Sequence, residues 1–171
     1  VEILFRVAQE NTIFACGDAT ACITPFQAGE LKKGQRLFSN SGSASMGYDL
    51  PAAIGASFAS PDQTVVCLAG DGSLQMNIQE LAVLKQEQLP LKMIVLNNEH
   101  LGMVRQWQEL FFDKRYASTE MVNPDFIAIA KGYFLDAKRV DKRKNLDAAV
   151  AEMIASEKPY FLEVTLSFLF S

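Results

Sequence analysis

Thr64-Val65-Val66-Cys67-Leu68-Ala69, followed by Gly70-Asp71-Gly72-Ser73, is an apolar run that breaks into a turn of two glycines around a carboxylate. A strand covered on both faces reads as such a near-continuous run, as in a parallel sheet between helical layers. Leu91–Leu96 repeats the pattern and breaks into Asn97-Asn98-Glu99-His100. Outward from these two, Thr12–Cys16, Arg36–Ser39, Phe134–Arg139 and Tyr160–Leu166 are further candidate strands. Helical patterns fill the gaps. Leu74, Ile78, Leu81 and Ala82 recur at i, i+4, i+7 and i+8, one apolar face of a helix that runs from Gly72 and ends at Pro90. Asn123-Pro124 reads as a cap with proline in the first turn of a helix over 124–132. Leu146–Ile154 is another amphipathic candidate. The repetition predicts a doubly wound α/β fold, a mainly parallel six-stranded sheet with helices on both faces. No linker, repeat or low-complexity stretch divides residues 1–171, so the chain reads as a single domain.

Composition narrows the function. Of 171 residues, 49% are hydrophobic and 21% charged, enough for a core without a disulfide or metal staple. Lys+Arg is 16 and Asp+Glu is 20; the resulting net charge of −4 argues against a nucleic-acid module, which usually carries a basic face. The basic run Lys138, Arg139, Lys142, Arg143 and Lys144 reads as a solvated edge. No apolar run approaches the ~18 residues of a membrane span. Three cysteines (Cys16, Cys22 and Cys67) without a CxxC pair argue against a disulfide framework or zinc site and point to a reducing cytoplasm. Cys16 and Cys67 lie in strands and read as small buried hydrophobes. The chain opens on Val1 without a signal-peptide pattern and reads as a piece of a longer one.

In a doubly wound sheet, ligands bind at the carboxyl ends of strands. Glycines at Gly70 and Gly72 allow a sharp turn and close approach of a ligand. The amides that open the next helix suit phosphate. A carboxylate there repels phosphate unless a cation lies between, which makes Asp71 a candidate hard-oxygen ligand for Mg²⁺ or Ca²⁺. For the tripeptide alone, a tight turn with an aspartate cap is the stronger reading. The second turn changes the balance. Asn98 follows Asp71 by one helix and one strand, the separation that brings successive strand ends together, and its amide oxygen can join a Mg²⁺ shell completed by a backbone carbonyl, water and phosphate.

Gly70-Asp71-Gly72 with Asn97-Asn98 resembles the thiamin-diphosphate motif of thiamin-dependent enzymes. The stretches Ser45-Met46-Gly47-Tyr48, Leu50-Pro51-Ala52-Ala53-Ile54-Gly55-Ala56 and Asn97 to Trp107 add to it. Together they closely resemble the C-terminal, diphosphate-binding domain of acetolactate synthases (acetohydroxyacid synthases), transferases of branched-chain amino acid biosynthesis. The close match runs from about Met46 to Phe112, and a weaker one continues through Pro124-Asp125-Phe126 to the last strand.

The resemblance implies a thiamin-diphosphate-binding fold. It implies thiamin diphosphate and Mg²⁺ as cofactors, with FAD left open for the full-length enzyme. Asp71 and Asn98 match the side-chain ligands of the metal, and His100 matches the position that contributes its backbone carbonyl. Gly70, Gly72 and Ser73 match the surroundings of the diphosphate. Met46 matches the bulky residue that bends the cofactor, so that its aminopyrimidine reaches the thiazolium carbon. Ala44 falls where a backbone carbonyl meets the aminopyrimidine. Gly102 and Met103 match residues beside the thiazolium. Met103 and Trp107, the latter placed at the start of its helix, match an acceptor-substrate pocket. On the residues alone, Met46 also reads as core filling, and Trp107 as packing of a helix on the sheet. Phe111 and Phe112 are read as that packing.

The chain departs from the family pattern at its first turn. Acetolactate synthases carry glycine, glutamine and histidine there; this sequence has Cys16-Gly17-Asp18-Ala19-Thr20-Ala21-Cys22. Thr20 or backbone amides can substitute, whereas an inward Asp18 is adverse to a diphosphate; the benign alternative is a helix cap facing solvent. The family's catalytic glutamate belongs to a pyrimidine-binding domain of a second subunit, so no catalytic residue is assigned in this chain. Glu80 and Glu99 are not substitutes. The implied whole is a homo-oligomer acting on small 2-oxoacids in the cytoplasm, with neither nucleic acid nor membrane as partner. Two rivals stand beside it: a 2-oxoacid decarboxylase on the same scaffold, and a non-catalytic relic or interaction domain. The apolar ending Leu166–Ser171 is expected to pack on a partner domain.

Overall fold

In the computed structural model, which describes residues 1–166, six strands form one sheet: β1 (Ile13–Cys16), β2 (Arg36–Ser39), β3 (Val65–Gly70), β4 (Lys92–Asn97), β5 (Asp136–Val140) and β6 (Tyr160–Thr165). Their spatial order is β2-β1-β3-β4-β6-β5, and every pairing is parallel. The six expected strands are therefore present, with ends displaced by a residue or two.

The apolar runs are continuous because alternate side chains feed two cores. Ile13, Ala15, Val65, Cys67, Met93, Val95 and Phe161 enter one core. It is closed by α3 (Asp49–Ala59), α4 (Asp71–Met76), α5 (Leu81–Gln86) and α7 (Phe126–Gly132). Phe14, Cys16, Val66, Leu68, Ile94 and Leu162 enter the other, closed by α1 (Glu2–Val7), α2 (Thr20–Ala28) and α8 (Leu146–Ala155). Cys16 and Cys67 are fully buried, and burial pushes the Cys16 thiol up to about 12, so both act as small apolar groups.

β1 is followed by β2 on one side, whereas β3 lies on its other side. The direction of winding thus reverses between β1 and β3, and a crevice opens at their carboxyl ends. β4 adds its carboxyl end beside β3, with Gly70 paired to Leu96. The two turns singled out in the sequence are neighbours for this reason.

Three local expectations fail. The helix expected from Gly72 to Pro90 is broken: α4 stops at Met76, Asn77 takes φ −137°, and a 3₁₀ turn (Ile78–Glu80) precedes α5. The cap of α7 is Asp125, whose carboxylate accepts from the amides of Ile127 and Ala128; Asn123 is engaged elsewhere. Phe111 and Phe112 do not pack on the sheet. They are exposed at the end of α6 (Gly102–Phe111), a helix that buries no residue among those described.

The basic run begins on the edge strand β5, where Lys138 pairs with Glu152 and Arg139 with Asp125 and Glu163. No helix among the described residues is long and apolar enough to cross a membrane. The expectation for the apolar ending falls, beyond Leu166, outside the described residues.

Candidate functional site

The turn after β3 sets Asp71 at the floor of the crevice, where it is only 3% exposed. Three donors hold its carboxylate. Oδ1 accepts from the Gly72 amide at 2.9 Å. Oδ2 accepts from the Glu99 amide at 2.8 Å and from Asn123 Nδ2 at 2.7 Å. Glu99 reaches that position with φ +56°, in the left-handed region, while its own side chain is exposed. Such a conformation persists only where the surroundings over-determine it.

Ser73, Gly47 and Asn77 build the wall above this floor. The Ser73 hydroxyl oxygen accepts from the Gly47 amide at 2.8 Å, and Asn77 Nδ2 donates to the Gly47 carbonyl at 2.7 Å. Both sides of one residue are thereby clamped. The clamp explains why the helix breaks at Asn77. Gly47 sits at φ +80°, and a Cβ there lies 2.7 Å from Met76 Cβ, so only glycine fits. The clamp fixes the adjacent Met46, whose Cε is 3.0 Å from the position a Cβ on Gly72 would take. Gly72 is thus the space into which the Met46 side chain settles. Because α4 is six residues long, its dipole is weak.

The turn after β4 forms the opposite wall. Asn98 Oδ1 accepts from the His100 amide at 3.2 Å. His100 pairs with Glu120 in an isolated antiparallel bridge whose bonds are made by Glu99 and Leu101. Arg105 Nη1 lies 2.8 Å from His100 Nε2, and His100 Nδ1 lies 2.9 Å from the Asn98 carbonyl. Since guanidinium only donates, Nε2 accepts and Nδ1 carries the proton. The imidazole braces the turn. Gly102 follows at the start of α6, with Asn98 Nδ2 3.3 Å from where its Cβ would be.

One pocket joins these walls. Gly70, Asp71, Gly72 and Ser73 line it from β3 and α4, Met46 from its clamped turn, and Asn98, His100, Gly102 and Met103 from the β4 side. Asp71, the Asn98 amide and the main chain at His100 are hard-oxygen donors of the kind that suits Mg²⁺ beside phosphate. The absence of side chains at Gly72 and Gly102 lets Met46 and Asn98 approach the main chain closely at the floor and one wall. Two of the expected residues lie outside. Ala44 is on an exposed turn at φ +47° and does not line the pocket. Trp107 is in the middle of α6 and not at its start, 57% exposed and in contact with Phe111 at a ring distance of 4.8 Å. It neither lines the pocket nor packs on the sheet.

The first turn contributes Asp18, Ala19, Thr20 and Ala21 to the same pocket. Asp18 is not the solvent-facing cap of α2: the cap position is Ala19, without a side-chain hydrogen bond. A second carboxyl stands behind this turn. Asp49 is fully buried, with Oδ2 against the position that a Cβ on Gly17 would take, and that oxygen has no hydrogen-bond partner among the described residues. Burial pushes the Asp49 carboxyl above its ordinary range, with Ser73 and the Leu50 amide opposing.

Sequence reasoning missed Asp49 and Asn123. Asn123 precedes a proline, a pattern shared with helix caps, and its target lies 52 positions away. Asp49 sits beside the recognised stretch, but nothing local marks it as buried.

Comparisons with known proteins bear on the family and the fold. The family described as "Thiamine pyrophosphate enzyme, C-terminal TPP binding domain" matches residues 15–164. The acetolactate synthase isozyme 2 large subunit of Escherichia coli (strain K12) is 45% identical over 133 residues, covering 77% of this chain and 24% of that protein. A probable chloroplastic acetolactate synthase 2 of Oryza sativa subsp. japonica is 41% identical over 176 residues, covering 97% and 26%. The chain thus spans about a quarter of the length of the curated relatives it matches. Among solved structures, a thiamine diphosphate-dependent 4-hydroxybenzoylformate decarboxylase of Rhodococcus jostii RHA1 superposes with a TM-score of 0.88 at 25% identity, covering 99% of this chain and 32% of that one.

Proposed function

The chain belongs to the thiamine pyrophosphate enzymes, as their C-terminal TPP-binding domain, and from that premise we propose that it holds the diphosphate and Mg²⁺ of an acetolactate-synthase-like enzyme acting on two 2-oxoacids. The observation that carries the proposal is the meeting of Asp71 and Asn98 across one pocket at the point where the sheet reverses its winding. The identity of 45% and 41% to acetolactate synthases supports the choice of reaction.

When bound, thiamin diphosphate supplies the electron sink for decarboxylation of a 2-oxoacid. The chain's own residues bind and orient. Asp71, Asn98 and the His100 carbonyl would hold Mg²⁺, and the Gly72 and Ser73 region would face the diphosphate. Met46, fixed by the clamped Gly47, gives the cofactor a rigid apolar support, which converts binding into orientation. Met103 stands beside the reacting end, and Ala44 is assigned to the pyrimidine side. Asp18 adds a negative charge to the pocket, which makes the cation more necessary. The exposed pair Trp107 and Phe111, one and two turns beyond Met103 on α6, would wall an acceptor pocket once the pyrimidine-binding domain of a second subunit covers this surface. That domain would bring the catalytic glutamate, and the chain is one domain of the larger, oligomeric enzyme. FAD remains a proposal for the full-length protein, as does a cytoplasmic location.

A second reading, a 2-oxoacid decarboxylase, is favoured by the structural likeness to the Rhodococcus jostii decarboxylase. One experiment separates the two. Full-length protein supplied with pyruvate, thiamin diphosphate and Mg²⁺ is assayed for carbon dioxide, acetolactate and acetaldehyde. Carbon dioxide with acetolactate is the expected result. Acetaldehyde alone selects the decarboxylase, and no turnover selects the non-catalytic domain.

A further inference from the structure

Asp71 is the inner end of a hydrogen-bonded chain that crosses the sheet to its far edge. Asn123 Nδ2 donates to Asp71 Oδ2 at 2.7 Å and to Asn97 Oδ1 at 2.9 Å. Asn97 Nδ2 donates to Glu163 Oε1 at 2.7 Å. Arg139 Nε donates to Glu163 Oε2 at 2.8 Å, and Arg139 Nη2 to Asp125 Oδ1 at 2.8 Å. Glu163 is 1% exposed, and Asn97 is buried at the end of β4. The chain therefore ties together β4, β6, β5 and the segment that enters α7.

The direction of these bonds is dictated by chemistry. An ionised carboxylate only accepts, and a guanidinium only donates. Glu163 must take the NH₂ end of Asn97, so the oxygen end of Asn97 faces Asn123. Asp71 must likewise take the NH₂ end of Asn123. The two requirements agree: one amide hydrogen of Asn123 goes to Asp71 and the other to Asn97. Its own oxygen accepts from Gln75 Nε2 at 3.0 Å. No amide in the chain can rotate without setting donor against donor or acceptor against acceptor.

We propose that Asn123, Asn97 and Glu163 are positioning residues for the cation site, a directed relay that fixes the orientation of the Asp71 carboxylate and so sets its metal affinity. The proposal rests on the metal reading of Asp71. Asn123 and the Glu99 amide together occupy Oδ2 while Gly72 takes one site on Oδ1, so the acceptor site left to the carboxylate is on Oδ1, and the relay helps to fix where it points. Outer partners that orient a metal ligand in this way typically govern affinity by 10–100-fold.

The test uses Mn²⁺ as the probe, since carboxylate and carbonyl oxygens accept Mn²⁺ as they do Mg²⁺. Free Mn²⁺ is counted by electron paramagnetic resonance in a titration of full-length protein with thiamin diphosphate, so the readout is metal and not turnover. Glu163→Gln keeps the shape but removes the forced direction: Arg139 claims the new amide oxygen, and the NH₂ turns toward Asn97. We expect the Mn²⁺ half-saturation to rise by about 10-fold or more, and similarly for Asn123→Leu. Adding Arg139→Met to Glu163→Gln lets the amide oxygen turn back to Asn97, and the affinity should recover. A merely structural ion pair would show no recovery, because the double variant loses more contacts than the single one. Asp71→Ala is run alongside. If it abolishes Mn²⁺ binding while folded Glu163→Gln binds as tightly as the parent, or if the double variant fails to recover, the relay is overturned. If Asp71→Ala itself leaves Mn²⁺ binding intact, the metal reading falls and the relay with it.

Discussion

Asp49 gives the folded chain a pH dependence at the scale of a single residue. Its carboxyl is raised by burial above the ordinary value of 3.8, so the folded state favours the protonated form more than the unfolded chain does. A group raised on folding stabilises fully below its unfolded value, and that stability is lost as pH rises through the folded one. Asp49→Asn removes the penalty of holding a buried charge whose Oδ2 has no hydrogen-bond partner among the described residues. The variant is expected to be more stable than the parent at pH 7, with the advantage shrinking as pH falls toward 4, read as urea midpoints across that range. Gly47 gives a second residue-scale prediction. The left-handed conformation is about 1–2 kcal/mol uphill for a residue with a Cβ, and Met76 Cβ is 2.7 Å from where that atom would be. Gly47→Ala should destabilise by more than about 1 kcal/mol and weaken cofactor binding, because Met46 moves with its turn. A urea titration beside a thiamin diphosphate titration checks both. Neither residue was legible in the sequence as a buried or clamped position, because each depends on groups brought in from other elements: Gly17 behind Asp49, and Ser73 and Asn77 around Gly47.

Among the elements, α6 behaves least like the others. Val104, Trp107, Leu110 and Phe111 are exposed along it, and no residue of it is buried. If Trp107 packed the helix onto the sheet, Trp107→Ala would lower stability by roughly 3–5 kcal/mol, as core aromatics do. The expected change in this chain is within about 0.5 kcal/mol, as for a surface position, measured by urea denaturation. In the full-length enzyme, Trp107→Leu should shift the preference between pyruvate and 2-oxobutyrate as acceptors by roughly tenfold, read from product ratios in competition. The strands were legible because runs such as Val65–Ala69 are buried on both faces and must be apolar throughout. The break after Met76 was not. Leu74, Ile78, Leu81 and Ala82 keep a helical period across it, and the partner that Asn77 bonds at the break, the Gly47 carbonyl, is 30 residues distant.

At the scale of the molecule, sequential neighbours decide what can be foreseen. β3 and β4 are consecutive and adjacent, so the nearness of Asp71 to the Asn98 turn follows from a single crossover. β6 inserting between β4 and β5 does not follow from any local signal, and with it the relay from Glu163 to Asp71 stayed hidden. Cores on both faces of the sheet give the chain what it needs to fold, whereas the proposed catalytic glutamate lies in another domain. The chain on its own is therefore expected to melt cooperatively and to produce neither carbon dioxide nor acetolactate from pyruvate with thiamin diphosphate and Mg²⁺. Circular dichroism and a product assay on one preparation test this. The central claim, that the Asp71 and Asn98 turns bind a cation and a diphosphate together, is met most directly by calorimetric titration of thiamin diphosphate into the full-length protein and its Asp71→Ala variant, each with and without Mg²⁺. Saturable binding that requires both Mg²⁺ and Asp71 is the predicted result; affinity that survives removal of the metal or of the carboxylate would contradict it.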